Sequence, residues 1–241
     1  SGFLGVGKTT AIIDLFRQKP ENEKWALLVN ESGKIGIDRH FYKEQGVDVK
    51  EIPGGCMCCA QSVALQVTIN QLLRETLPDR LILESSGIGH PQGVLKTLKG
   101  DGFQQSLSLK AAICLINPEH LLVEKYRNND LFQQQIECSD ILIANKIDLA
   151  SESALAAFDQ LTATFQPAKQ VVATTTQGRL DIGWLNHPHQ QVQTKYKFQP
   201  EGHSLPPQNW KHQTFQFEEK LSFDIHAIRA WLNAIRVVRL K

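Results

Sequence analysis

The sequence has almost no net charge, no long apolar run, a single methionine and no spread of cysteines, and each shortage narrows what the chain can be. Lys plus Arg number 26 and Asp plus Glu 25, for a formal charge of +1. That balance gives no electrostatic footing on nucleic acid or a membrane surface, so neither is expected as a partner. The longest apolar runs, such as residues 111–116, are far too short to span a bilayer. The one methionine is Met57, so the sequence as read has no initiator and is expected to be a piece of a longer protein, opening inside a working loop. Of the five cysteines, three fall at 56, 58 and 59. A secreted disulfide framework would scatter them and pair them evenly. Clustered thiols in a chain without that framework point to metal or redox chemistry. Cys114, inside the apolar run AAICLI, and Cys138, with no neighbouring thiol, read as buried and inert.

With 41% apolar and 21% charged residues in 241 positions, the chain is ordinary globular material for one large domain, or one domain and a smaller partner. Short, nearly continuous apolar runs at 25–30, 80–84, 110–117, 140–144 and 170–173 read as strands buried on both faces. Helical patterns lie between them at 8–17, 61–77, 91–98, 118–135 (with a break) and 152–165. This alternation predicts an α/β fold, a mostly parallel sheet flanked by helices in the manner of a phosphate-loop NTPase. The rhythm fades near Trp184. Residues 1–186 are therefore assigned to the first domain. Residues 187–210, rich in His, Gln and Pro, are assigned to a linker whose histidines form either a loose metal-acquiring tract or a solvated loop. A strand pattern at 211–218 and a helix pattern at 223–235 read as the start of a truncated α+β domain over 211–241.

Residues 2–9, GFLGVGKT, fit G-x-x-x-x-G-K-[ST]. In such a loop successive backbone N–H groups turn inward around phosphate oxygens, and the helix that follows adds its positive end. Gly2, Gly5, Val6, Gly7, Lys8, Thr9 and Thr10 are the expected nucleotide contacts, with Lys8 on the β- and γ-phosphates and the Thr9 hydroxyl on Mg²⁺. The strand feeding the loop is expected before Ser1. Further along, Asn145-Lys146-Ile147-Asp148 closes a strand pattern. A carboxylate at 148 accepts two hydrogen bonds from guanine and is left unpaired by adenine, so GTP is favoured over ATP. Asn145 is expected to help read the base edge, and the Lys146 stem to pack on the ring. Thr174, Thr175 and Thr176 offer backbone contacts nearby. Glu84 ends a buried strand where an acid would hold Mg²⁺, often through water, and the Gly87 N–H is placed to sense the γ-phosphate. Glu31, in a loop resembling a first switch, is a second candidate for Mg²⁺, and Asp38 a weaker one.

Gly54-Gly55-Cys56-Met57-Cys58-Cys59 precedes a helix pattern. The glycines permit the tight turn that lets these thiols converge. Thiolates favour soft or borderline ions such as Zn²⁺, and three of them leave one place of a tetrahedral ion open, suited to handing metal on. A structural zinc knuckle and a redox thiol pair remain alternatives.

Five segments together, GFLGVGKTT (2–10), WALLVNESGKIGID (25–38), KEIPGGCMCC (50–59), DRLILESSGIGHP (79–91) and IANKID (143–148), resemble the CobW family of phosphate-loop GTPases, a metallochaperone group, and within it the YeiR zinc-binding branch. The resemblance implies a cytoplasmic GTPase that converts GTP to GDP and phosphate while binding and delivering a divalent metal to a client metalloprotein. It puts Lys8, Thr9 and Glu84 at the reacting phosphates and Mg²⁺, Cys56, Cys58 and Cys59 on the delivered metal, and Asn145 and Asp148 on guanine. Zn²⁺ is favoured, with Co²⁺, Fe²⁺ and Ni²⁺ as other choices. Two other readings stay open: a GTPase whose thiols are purely structural, and a metal store that uses nucleotide only for stability.

Overall fold

The computed structural model of the chain describes residues 1–29, 42, 44–52, 62–87, 89–100 and 102–190. Helix α1 (Lys8–Arg17) starts from Gly7 and buries Ala11, Ile12, Leu15 and Phe16 along one face. All five residues of β1 (Trp25–Val29) are buried. β2 (Val47–Glu51) and α2 (Ser62–Thr76) follow, then β3 (Arg80–Glu84) and α3 (Pro91–Leu98). Pro91 stands at the first turn of α3, where its missing N–H costs nothing.

The second half repeats the alternation. β4 (Ile113–Ile116) leads to a 3₁₀ turn (Pro118–Leu122) capped by the Asn117 side chain, then to α4 (Glu124–Arg127) and α5 (Asp130–Glu137). The stretch 118–135, expected to break, is therefore three pieces. Asn129 makes the last break by capping α5 through Phe132 N–H. β5 (Ile141–Ala144), α6 (Glu152–Ala163), capped by Ser151, and β6 (Val171–Thr174) follow, with short 3₁₀ segments at Ile147–Leu149 and Ile182–Asn186.

The strands form two parallel sheets, ordered β2-β1-β3 and β4-β5-β6. This is the expected α/β architecture. β2 escaped the sequence reading because Val47-Asp48-Val49-Lys50-Glu51 alternates with charge and buries only Val47. It is an edge strand among the described residues and needs no continuous apolar run. The core is built where helices cover the strands. Phe16 meets Trp25 edge-on, with ring centroids 5.6 Å apart. Leu65 and Ile69 of α2 pack on Leu28, and Phe158 of α6 packs with Ile116 and Leu142. Each such side chain stabilises the fold by roughly 1.5–3 kcal/mol.

Between β3 and β4 lies a cavity of about 400 Å³, lined by Leu81, Leu83, Ile113 and Leu115 among others. On its β4 side the Ser1 nitrogen donates to Ile113 O at 2.6 Å, and Leu115 N–H donates to Ser1 O at 3.1 Å. The β4 ladder thus holds the residue that feeds the phosphate loop.

Cys114 and Cys138 are buried and free, as expected. Burial pushes both thiols up, Cys138 to about 12, so neither is a thiolate at neutral pH. Past the last turn, residues 187–190 run back along the sheet base. Ala111 N–H donates to His187 O at 2.8 Å, and His189 Nδ1 lies 2.7 Å from Asp140 Oδ2. The remaining linker residues 191–210 and the second domain at 211–241 lie outside the described residues. Among the described residues no helix is long and apolar enough to cross a membrane.

Candidate functional site

Parallel strands point their carboxyl ends to one edge, and loops at that edge are where such folds bind ligands. Here the edge holds the phosphate loop, Glu84, Gly87, Asn145 and Thr174. Gly7 carries φ +97, and a Cβ there would stand 2.6 Å from Asn145 Nδ2, so only glycine fits the last turn of the loop. Lys8, 7% exposed, curls over the loop and donates to Phe3 O at 3.1 Å. Phe3 is itself anchored edge-on against Tyr126 (5.5 Å) and Phe132 (5.9 Å). His120 stacks on Tyr126 at 4.1 Å; burial, and then the Lys146 charge, hold its ring below the usual histidine range.

Thr9 Oγ1 donates to Glu84 Oε1 at 3.2 Å, across 75 residues of sequence. The first turn of α1 and the last residue of β3 thus present two oxygen donors side by side. Glu84 is 6% exposed, and the Ser85 hydroxyl beside it is buried with no partner among the described residues. A hydroxyl and a carboxylate are the hard donors Mg²⁺ prefers, and a carboxylate this buried calls for a cation. These residues fit the ion.

Asn145, 2% exposed, has both ends of its amide occupied. Nδ2 donates to Val6 O at 2.8 Å, and Oδ1 accepts from Gly178 N–H at 3.0 Å. It clamps the phosphate loop to the loop after β6, a role the sequence reading did not assign. Lys146 takes a left-handed conformation (φ 65) that turns the chain into the short 3₁₀ segment Ile147–Leu149, on which Asp148 is exposed. Ile147 N–H donates to Thr175 O, and Thr175 N–H to Ala144 O, so the NKxD turn and the threonine loop brace each other.

Gly87 lies directly on the phosphate loop: a Cβ there would come within 2.5 Å of Leu4 Cδ2 and 3.0 Å of Leu4 N. Behind it, Gln135 of α5 donates from Nε2 to Gly87 O and Gly89 O, each at 3.2 Å. The sequence reading missed Gln135. Its signal was a glutamine on the same helix face as Leu131, Phe132 and Ile136, where an apolar residue belongs.

Glu31, Asp38, Cys56, Cys58 and Cys59 lie outside the described residues. Among the described residues no three metal-ligating side chains gather. The chain does, however, enter the cysteine segment from this same edge. Glu51, Val29 and Glu84 form one rung across β2-β1-β3, and Ile52 N–H donates to Val29 O at 3.1 Å. Two strand spacings, roughly 10 Å, separate that exit from Glu84.

Comparison with known proteins identifies the family and the fold. Residues 1–173 match the CobW/HypB/UreG nucleotide-binding domain. The zinc chaperone YeiR of Escherichia coli (strain K12) is 47% identical over 148 residues, 61% of this chain and 45% of that protein. The zinc chaperone YjiA of the same organism is 28% identical over 191 residues, 77% of this chain and 58% of that one. The crystal structure of the Zn(II)-bound YjiA GTPase from E. coli shares the fold, with a TM-score of 0.58 at 23% identity, covering 82% of this chain and 64% of that one. The chain spans about half the length of the curated relatives it matches.

Proposed function

The chain belongs to the CobW/HypB/UreG family of nucleotide-binding domains, and on that premise we propose a GTPase that carries a divalent transition metal, zinc first, on its cysteine loop and couples GTP hydrolysis to delivery of that metal to a client metalloprotein. The observation that carries the catalytic half is the contact between Thr9 and Glu84 beside a complete phosphate loop. The zinc half is supported by the Cys56, Cys58 and Cys59 motif and by a relative named a zinc chaperone at 47% identity.

In this reading the inward N–H groups of residues 2–10 take the phosphates. Lys8 gives up the Phe3 carbonyl for the β- and γ-oxygens, exchanging a neutral acceptor for a charged one. Thr9 and Glu84 hold Mg²⁺, with Glu31 as a further contact. When bound, the ion neutralises charge on the β- and γ-phosphate oxygens. Gly87 offers its N–H to the γ-phosphate. Asp148 selects guanine, Lys146 covers the ring, and Asn145 holds the loops that frame the nucleotide. Zinc is the cargo, bound by the three thiolates. Because the cysteine segment leaves the sheet on the rung of Glu84, rearrangement on loss of the γ-phosphate reaches it through one strand. No arginine or glutamine is assigned to neutralise charge or orient water, so intrinsic turnover is slow until metal or a partner completes the site.

Steady-state hydrolysis by the full chain with Mg²⁺ tests this. Repeated turnover of GTP is expected, faster with zinc, with ATP at least about a hundredfold poorer. Nucleotide that binds and stays intact would make the protein a metal store. The triple substitution of Cys56, Cys58 and Cys59 to Ser is expected to leave a folded GTP-binding protein without zinc response; unfolding would make the thiols structural.

A further inference from the structure

We infer that Gln135 is the positioning residue that tunes this site to the γ-phosphate, setting how much more tightly GTP is held than GDP. The inference rests on the nucleotide reading above and assigns a role outside the loops that touch nucleotide. Gln135 is 1% exposed, on the buried face of α5. Its one amide nitrogen donates to both Gly87 O and Gly89 O. The adjacent Gln134 adds a second tie, its Oε1 lying 2.9 Å from His90 Nδ1. Within the turn itself, Gly89 N–H donates to Ser86 O at 2.9 Å.

The choice of side chain is informative. Gln135 Oε1 is buried with no partner among the described residues, which is unfavourable. Methionine would fill nearly the same volume among Leu131, Phe132 and Ile136 without that penalty. What methionine cannot supply is two N–H donors to two carbonyls. The amide is therefore explained by its grip on the Gly87 and Gly89 carbonyls and not by packing. That grip has a direction. Leu4 of the phosphate loop fixes the Gly87 Cα from one side, and Gln135 fixes the Gly87 carbonyl from the other. The Gly87 N–H lies in the peptide plane of the Ser86 carbonyl, which accepts from Gly89 N–H; with Gly87 O and Gly89 O also held by Gln135, that plane has little freedom left. A donor held in place binds its acceptor without first being ordered. GDP has no γ-phosphate to meet this donor, so loss of the grip weakens GTP and leaves GDP nearly untouched.

The test measures dissociation constants of GDP and of a β,γ-imido analogue of GTP for the full chain, wild type against Gln135→Met and Gln135→Glu. In Gln135→Met the ratio of the two constants is expected to move about tenfold against the triphosphate, the scale of one hydrogen bond, with GDP within about twofold of wild type. Gln135→Glu, whose carboxylate faces two carbonyl oxygens, is expected to move it further. The kcat for GTP falls with the ratio. A residue that serves only stability would shift both nucleotides together or neither, and either result overturns the inference. Should both variants fail to fold, Gln134→Ala, at a half-buried position, decides: a smaller shift in the same direction supports the inference, and an unchanged ratio overturns it. Failure of the wild type to bind GTP would instead defeat the nucleotide reading itself.

Discussion

The Thr9 hydroxyl and the Glu84 carboxylate, 3.2 Å apart, are two hard donors supplied by different elements. Glu84→Gln keeps the shape and removes the charge, so it is expected to raise the Mg²⁺ concentration needed for half-maximal hydrolysis by about tenfold or more. Magnesium titrations of wild type and variant check this, and an unchanged requirement would remove Glu84 from the ion. Asn145 works by a different physics. Its truncation to Ala leaves Val6 O and Gly178 N–H buried and unpaired, which is expected to destabilise the fold by about 2–4 kcal/mol in urea melts. A loss below about 1 kcal/mol would mean the loops re-pair without it. The sequence made Thr9, Glu84 and Asn145 individually conspicuous because each sits at a fixed offset from a loop or strand end. It could not show that Asn145 has both amide ends occupied by backbone, since Val6 and Gly178 reach it only through the fold. Gln135 left only the signal of a glutamine on an apolar helix face, and it gains meaning only from the two carbonyls it faces.

At the scale of elements, continuous apolar runs located β1, β3, β4, β5 and β6, but burial on both faces holds fully only for β1 and β5; β6, at a sheet edge among the described residues, alternates between half-buried and exposed positions. The missed β2 has one buried residue and alternating charge, which is what a strand at a sheet edge tolerates. Residues 187–190, read by composition as the start of a linker or exposed loop, are exposed at Pro188 and Gln190 and half-buried at His187 and His189. His and Gln suggested solvent, yet His189 and the Gln190 N–H bind the two oxygens of Asp140 at the base of β5. Burial alone would raise the Asp140 carboxyl. The His189 ring and the N–H groups of Ala112 and Gln190 outweigh it and hold the group below the ordinary carboxylate value. A carboxyl depressed by folding contributes stability above its unfolded value, near pH 4, and loses it as pH falls through the folded value. The stability advantage of wild type over Asp140→Asn is therefore expected to be full at pH 6 and to shrink below about pH 4. Urea midpoints across that range measure it, and an advantage that does not change with pH would contradict the assignment.

For the whole molecule, one edge of the described residues gathers the phosphate loop, the Thr9–Glu84 pair, the Asn145–Asp148 turn and, on the same rung as Glu84, the end of β2 from which the chain continues toward Cys56, Cys58 and Cys59. That common edge was foreseeable from the βα order, because parallel strands send all their following loops the same way. The rung joining Glu51 to Glu84 was not, because it depends on strand order in space. If nucleotide and zinc share this edge, each must change the affinity of the other by the same factor. The most direct measurement titrates zinc into the full chain bound to Mg²⁺ with GDP, and again with Mg²⁺ and a β,γ-imido analogue of GTP. Zinc dissociation constants differing by about fivefold or more are predicted, with zinc shifting the analogue-to-GDP affinity ratio by that same factor. Equal zinc affinities in the two nucleotide states would contradict a GTP-coupled metal carrier.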